Sequence, residues 1–399
     1  TGKDFVYKDD FHDSLENYKR ITGQVDENGK SISTNTETSG RYHTDWLNMM
    51  YPRLRLARNL LADDGVIFIS IDDNELDNLK KICNEVFGES NFRNTILTRR
   101  RIKSLNSQFA DNGLYSMNVG FEYILVYAKS DNFLMKALWM KKGNVPTKGR
   151  WDVFWSNADR PTMRYDILGF TPDTGQWRNS KEKADIAIAN YQKYITEFEN
   201  VMTLEEYSRK TGITNFIRRI DNGTGKNGGV QHWIAPSDTT LRTSNWTDIE
   251  VSQIGKEIDL PFNNPKSKQL IMKLIKLANC QENDIVLDFF SGSATTAHAV
   301  MQLNAEYNSN LKFIMVQLPE ITNEDSEAFK AGYKNICEIG KERIRRAGEK
   351  IKEEKGLEAM NLDVGFKVLK LDTSNIRKWQ PDYNDLEQSL MDYIDNYVE

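Results

Sequence analysis

Two short apolar runs, Val66-Ile67-Phe68-Ile69-Ser70-Ile71 and Asp284-Ile285-Val286-Leu287-Asp288-Phe289-Phe290, constrain this chain most. Runs of that length without polar alternation predict strands buried on both faces of a parallel sheet, and parallel strands need helical crossovers. Helical patterns flank both. Leu47, Met50, Leu54, Ala57 and Leu61 predict an amphipathic helix, kinked or restarted at Pro52, before the first run. Leu76, Leu79, Ile82, Cys83 and Val86 predict another after it, closed by Gly88. Further strands are expected near Thr95 to Arg99 and at Tyr123 to Ala128. After Pro261 the alternation resumes in what reads as the same sheet: a helix from about Ser267 to Ala278, the second run, a helix from Thr295 to Asn304, and a strand from Phe313 to Leu318. A long helix from Phe329 through Ile351 and a strand from Phe366 to Leu371 complete the pattern.

Between the two α/β stretches, from about Trp139 to Glu250, the texture changes. Six of the eight tryptophans fall here among Arg, Lys, Asn, Thr and Gly, which reads as an inserted domain. Within it, Ala184, Ile188, Tyr191, Ile195 and Phe198 mark one helix, and Thr203 with Glu206 forms a capping-box pattern opening a second. At 399 residues, 39% hydrophobic and 28% charged, the chain has the length for two or three domains, and its composition excludes collagen, coiled coil and wholesale disorder. The three cysteines are far apart and the four histidines are scattered, so no disulfide framework or metal centre is expected and a cytoplasmic setting is. The net charge of −5 permits a local basic face but not a uniformly basic surface. Gly223-Thr224-Gly225-Lys226 lacks the spacing and the Ser or Thr of a phosphate loop, so no ATPase motif is present. The opening Thr1-Gly2 has no signal-peptide character and reads as a chain cut from a longer one.

The most informative segment is Asp288-Phe289-Phe290-Ser291-Gly292-Ser293-Ala294-Thr295-Thr296-Ala297, a strand running through small residues into a helix. Small residues let the backbone approach a ligand, and the following helix N-terminus favours a polar or anionic group. The plain alternative is a tight strand-to-helix connection. Asp72 likewise ends a strand at the sheet edge where ligands collect, and equally suits capping the helix that begins near Asn74.

Asp288 to Ala299, with Pro265-Lys266-Ser267 upstream and Phe313 to Glu320 downstream, resembles the S-adenosylmethionine region of the modification (Mod) subunits of type III restriction-modification systems. Segments Thr1 to Phe11, Arg41 to Leu61, Gly65 to Gly88, Glu122 to Lys129 and Gly365 to Trp379 agree in the family's order. The resemblance implies an α/β, Rossmann-like class I methyltransferase sheet, catalytic region before cofactor region, interrupted by a target-recognition domain. The expected division is 1–130 and 259–372 for the two halves of the methyltransferase domain, 131–258 for recognition, and 373–399 for a tail. The implied activity is methylation of adenine N6 in double-stranded DNA by S-adenosylmethionine, in a homodimer that works with a restriction subunit. A non-catalytic DNA-recognition scaffold and a cytosine N4 methyltransferase are the alternatives.

By the same resemblance, Asp288, Phe290, Gly292 and Ser293 border the cofactor, Thr295 and Thr296 stand at the helix start, Lys266 reaches its carboxylate, and Glu320 binds its ribose. The family's Phe-x-Gly-x-Gly turn departs here at Ala294. The resemblance places the family's Asp-Pro-Pro-Tyr tetrad a few residues before the segment that Thr1-Gly2 continue, hence upstream of Thr1, and none of the nine prolines here forms a Pro-Pro pair. No catalytic residue is therefore assigned within the chain, which as a fragment lacking the tetrad is expected to be inactive alone. Phe5 and Tyr7 are candidates for lining the base pocket, while Asp9 and Asp10 read as surface carboxylates. For DNA contacts, the cation-and-aromatic mixture of the inserted domain singles out Lys141, Lys142, Arg218 and Arg219, and the densest basic run adds Arg99, Arg100 and Arg101.

Overall fold

The computed structural model describes residues 43–100, 117, 119–220, 223, 225–251, 257–262, 265–356, 362–371 and 388. Contacts divide the chain into two compact units, one running to Ser252 and including Lys273–Cys280, the other holding most of the remaining C-terminal residues.

The first unit opens with α1 (Thr44–Leu60), which continues unbroken through Pro52 rather than restarting there. Then follow β1 (Val66–Ile71), α2 (Leu76–Phe87), β2 (Phe92–Arg99) and β3 (Phe121–Ala128). Apolar faces of α1 and α2 bury Leu54, Leu79, Cys83 and Phe87, and Ile124 to Ala128 of β3 are fully enclosed. β1 departs from the expected doubly buried parallel strand. It pairs antiparallel with β3, Val66 opposite Ala128, and β3 also pairs antiparallel with β2. The expectation failed because β3 takes the central place between β1 and β2, so β1 keeps only Ile67 buried and leaves Ser70 exposed.

The inserted stretch builds small sheets: β4 (Trp139–Lys141), β5 (Arg150–Val153), β6 (Trp155–Ser156) and β7 (Gln176–Trp177), then α3 (Lys181–Glu197) and α4 (Leu204–Thr211). It continues with β8 (Ile217–Arg219), β9 (Val230–Ile234), β10 (Thr239–Leu241) and β11 (Asn245–Glu250). β5, β9 and β8 form a three-stranded antiparallel sheet, while β11 returns to lie parallel to β2. Buried Trp177 stacks on Phe154 at 5.8 Å, and its indole N–H donates to the Tyr165 carbonyl at 2.7 Å, so the aromatic content here is largely core. The expected capping box is formed: the Glu206 amide donates to Thr203 Oγ1 at 3.3 Å and the Thr203 amide to Glu206 Oε2 at 3.0 Å. Replacing Thr203 by Ala is expected to lower stability by about 1 kcal/mol, read as a shift in the urea midpoint at constant slope.

α5 (Lys268–Leu277) leads to the cofactor-like half of the sequence. There β12 (Ile285–Asp288), α6 (Thr295–Tyr307) and β13 (Lys312–Met315) form a β-α-β unit whose strands pair in parallel, Ile285 opposite Lys312 and Asp288 opposite Met315. α7 (Glu327–Lys330) and the 20-residue α8 (Ile336–Lys355) follow. Three expectations are corrected here. The second apolar run is half-buried rather than enclosed, with Ile285 at 60% and Phe290 at 50% exposure, because α6 and α8 pack against Phe313 and Met315 on one side of the strand pair. The single helix expected from Phe329 to Ile351 is split. Gly332 takes a left-handed φ of 94°, which ends α7, and the Asn335 side chain caps α8 by accepting from the Glu338 amide. Phe366 to Leu371 forms no strand: among the described residues it has no ladder partner, and Val368, Leu369 and Leu371 are exposed. Among the described residues β12 and β13 form a two-stranded parallel sheet.

Candidate cofactor site

The turn from Asp288 to Thr295 is shaped by its backbone. The β12–β13 ladder runs on into it, the Val316 amide donating to the Asp288 carbonyl at 2.8 Å and the Ser291 amide to the Val316 carbonyl at 3.2 Å. Gly292 then adopts φ 50° and Ala294 φ 60°, both left-handed. Glycine takes that conformation at no steric cost, whereas alanine pays for it, which gives a physical reason for glycine at both places in the family pattern. The Ala294 methyl is buried against Ala297, Met301 and Ile344, and that packing offsets part of the strain.

The side chains lock this geometry. Thr296 Oγ1 donates to Asp288 Oδ2 at 2.6 Å, and the Phe290 amide donates to Asp288 Oδ1 at 3.2 Å. Enclosure raises the Asp288 pKa above the ordinary aspartate value, with those two hydrogen bonds working against it. Gln317, two residues beyond β13, accepts the Gly292 amide at 2.8 Å and ties the turn to the segment after the second strand. From below, α8 presses on the turn at Gly340, where a Cβ would stand 3.3 Å from the Gly292 carbonyl oxygen. One helical turn further, buried Arg343 donates to Ser293 Oγ at 3.3 Å and lies 3.7 Å from Glu257.

The residues present fit a nucleotide-like cofactor. α6 has no side-chain cap, so its first-turn amides remain available to a ligand. A Cβ at Gly292 would find nothing closer than Phe262 Cζ at 3.8 Å, and Phe290 presents half of its ring surface. Ser293, Thr295 and Thr296 are buried within the turn and first helical turn. Glu320 follows β13, and its carbonyl accepts from the Ile336 amide at 3.1 Å, while Lys266 lies just before α5. The sequence reading placed Gln317 only within the strand expected from Phe313 to Leu318 and missed Gly340 and Arg343. A glycine inside a helical pattern costs about 1 kcal/mol relative to alanine, and that cost is the signal of close approach that marks Gly340.

Among the remaining candidates, Phe5, Tyr7 and Arg101 lie outside the described residues, as do Asp9 and Asp10. Asp72 accepts from the Asn74 amide at 3.2 Å in the turn ahead of α2, whose N-cap is Glu75. Several cations picked for DNA are engaged internally: Arg99 with Glu250 at 2.7 Å, Lys142 with the Ser237 carbonyl, and Arg218 over Trp151 at 4.1 Å while donating to Gln231. Arg219 donates to the carbonyls of Leu168 and Gly228 and lies over Phe170. Lys141 is exposed, and no side-chain partner of Lys141 or Arg100 is found among the described residues. No group of acidic, His or Cys side chains among the described residues could hold a metal, and no helix among them is long and apolar enough to cross a membrane.

A strand, a turn with two left-handed residues and a helix without a side-chain cap make up the β-α-β unit. The family model for DNA methylase, the N6 and N4 methyltransferases, matches residues 17–349, and the chain belongs to that family. It is 33% identical over 385 residues to the Mod subunit of the type III restriction-modification enzyme StyLTI of Salmonella typhimurium, covering 92% of this chain and 54% of that protein. To the EcoP15I Mod subunit of Escherichia coli it is 29% identical over 411 residues, covering 93% and 60%. To the EcoPI Mod subunit of Escherichia phage P1 it is 31% identical over 411 residues, covering 92% and 60%. The chain thus spans a little over half the length of these curated relatives.

Proposed function

We propose that this chain belongs to the modification subunit of a type III restriction-modification system, a cytoplasmic DNA methyltransferase that uses S-adenosylmethionine to methylate adenine N6. The observation that carries the reading is the turn from Asp288 to Thr296, supported by family membership and by relatives that are themselves Mod subunits. Asp288, Phe290, Gly292, Ser293, Thr295 and Thr296 border the cofactor, with Lys266 at its carboxylate and Glu320 at its ribose. Residues 131–258 act as the target-recognition domain between the two methyltransferase halves. The protein works on double-stranded DNA as a homodimer with a restriction subunit.

When bound, S-adenosylmethionine supplies an electrophilic methyl group. The chain's own part is to position it. Thr296 fixes the Asp288 carboxylate, Gln317 fixes the Gly292 amide, and α8 supports the turn from beneath, so contacts of the chain itself hold this geometry. The test is nucleoside analysis of DNA from a methylation-deficient host that expresses the full-length gene to which this chain belongs, because no catalytic residue is assigned within these 399 residues. N6-methyladenine at one recurring sequence is expected. N4-methylcytosine would assign the other amine, and neither base would overturn the reading.

A further inference from the structure

The β4–β10 ribbon is a sheet of its own, outside the three-stranded sheet and the aromatic core of the inserted stretch. Its register sets Leu241 opposite Trp139 and Thr239 opposite Lys141, and directly opposed residues of antiparallel strands share a face. That face carries an apolar pair exposed at 64% for Trp139 and 52% for Leu241, beside the exposed Lys141. The other tryptophans of this region are in use: Trp177, Trp233 and Trp246 are buried, Trp151 lies under Arg218, and the Trp155 indole donates to the Thr174 carbonyl. Trp139 is the exception among them, and it sits on a two-stranded sheet.

Cations gather at one end of the ribbon. The Arg242 amide donates to the Leu138 carbonyl and extends the ladder, and its guanidinium grips Asp248 at 2.9 and 2.7 Å. Lys273 lies close to both of them, with Lys276 beside it. Burial first, then repulsion from Arg242, holds Lys273 below the ordinary lysine value. A two-stranded ribbon has the width that the DNA major groove admits, apolar side chains there contact thymine methyl groups, and lysines contact phosphates.

We propose that the β4–β10 ribbon is the base-reading element of the inserted stretch, entering the major groove of duplex DNA with Trp139 and Leu241 against base edges and Lys141 on the backbone. The inference rests on the DNA-methyltransferase reading above, and Lys141 on this face, with Lys273 and Lys276 near the end of the ribbon, suits a polyanion.

The test exposes the full chain to a pool of random-sequence 40-base-pair duplexes and sequences the bound fraction. The double variant Trp139→Ala/Leu241→Ala is expected to keep its bulk affinity and salt slope while sequence enrichment falls at least tenfold. Lys141→Ala is expected to lower the slope of log affinity against log salt by about 0.9, the value for one phosphate contact on duplex DNA. Both substitutions change exposed side chains, so retained circular dichroism is the folding control. Wild-type chain that enriches a sequence, together with a double variant that enriches it equally, would overturn the ribbon proposal alone. Wild-type chain that binds no duplex would overturn the underlying reading as well. Unchanged enrichment with a shift from dimer to monomer on sedimentation would assign the face to a protein contact and overturn the proposal.

Discussion

Gly292→Val is expected to reduce affinity for S-adenosylmethionine by more than a hundredfold while the protein stays folded. Gly292 lies at φ 50°, a conformation that costs an L residue about 1–2 kcal/mol and a β-branched one more. The added Cβ meets only ordinary contacts, Phe262 Cζ at 3.8 Å and the Phe290 carbonyl oxygen at 4.0 Å, so the fold absorbs the strain. The branch occupies the space in which the cofactor would meet the backbone, and the strain pulls the Gly292 amide off Gln317. Calorimetric titration, paired with urea unfolding, separates the two effects. Unfolding of the variant at neutral pH, or unchanged affinity in folded variant, contradicts this account of the turn.

The second large effect is one of acid. His298 is buried on α6, and burial, followed by the charges of Lys268, Arg343 and Lys350, brings its pKa down to about 2. The unfolded chain protonates this ring near pH 6.5 and the folded one does not, so the unfolded state binds more protons as the pH falls and stability is lost. From pH 6.5 to 4.5 the loss is about 2 kcal/mol from this one residue. Asp288 works in the opposite direction. Its raised pKa means that the folded state takes up the proton first, so acid stabilises through this group until the pH falls below the unfolded aspartate value. Comparing wild type with His298→Met cancels the Asp288 contribution, which both proteins share. Urea midpoints converted to free energy are expected to diverge by about 2 kcal/mol over that range, wild type falling faster. Parallel pH profiles would place the ring in contact with solvent.

Much of the C-terminal β-α-β unit was legible because its signals are local. Strand 285–288, helix 295–307 and the small residues between them are set by residues within a few positions of one another. The capping box at Thr203 and Glu206 was legible for the same reason. What escaped depends on partners distant in sequence. β1 and β3 are both apolar runs, and nothing in either announces that they pair antiparallel, Val66 with Ala128. Arg218 and Arg219 read as cations for phosphate, yet their guanidinium groups meet Trp151, Gln231 and two backbone carbonyls. A basic side chain beside aromatic residues has the same sequence signature whether the ring is a neighbour in the fold or the base of a nucleic acid. Arg343 lies 50 residues from its partner Ser293, and only the glycine one helical turn before it hints at the contact.

Ultraviolet cross-linking of methyl-labelled S-adenosylmethionine to the 399-residue chain, followed by trypsin digestion, tests the central claim most directly. Cleavage after Lys276 and Lys312 releases Leu277 to Lys312 as a single peptide, because no lysine or arginine lies between them. The label is expected in that peptide, to be displaced by excess unlabelled cofactor and to be absent from Gly292→Val. Label confined to any other peptide, or equal labelling of the variant, would contradict the assignment of this turn.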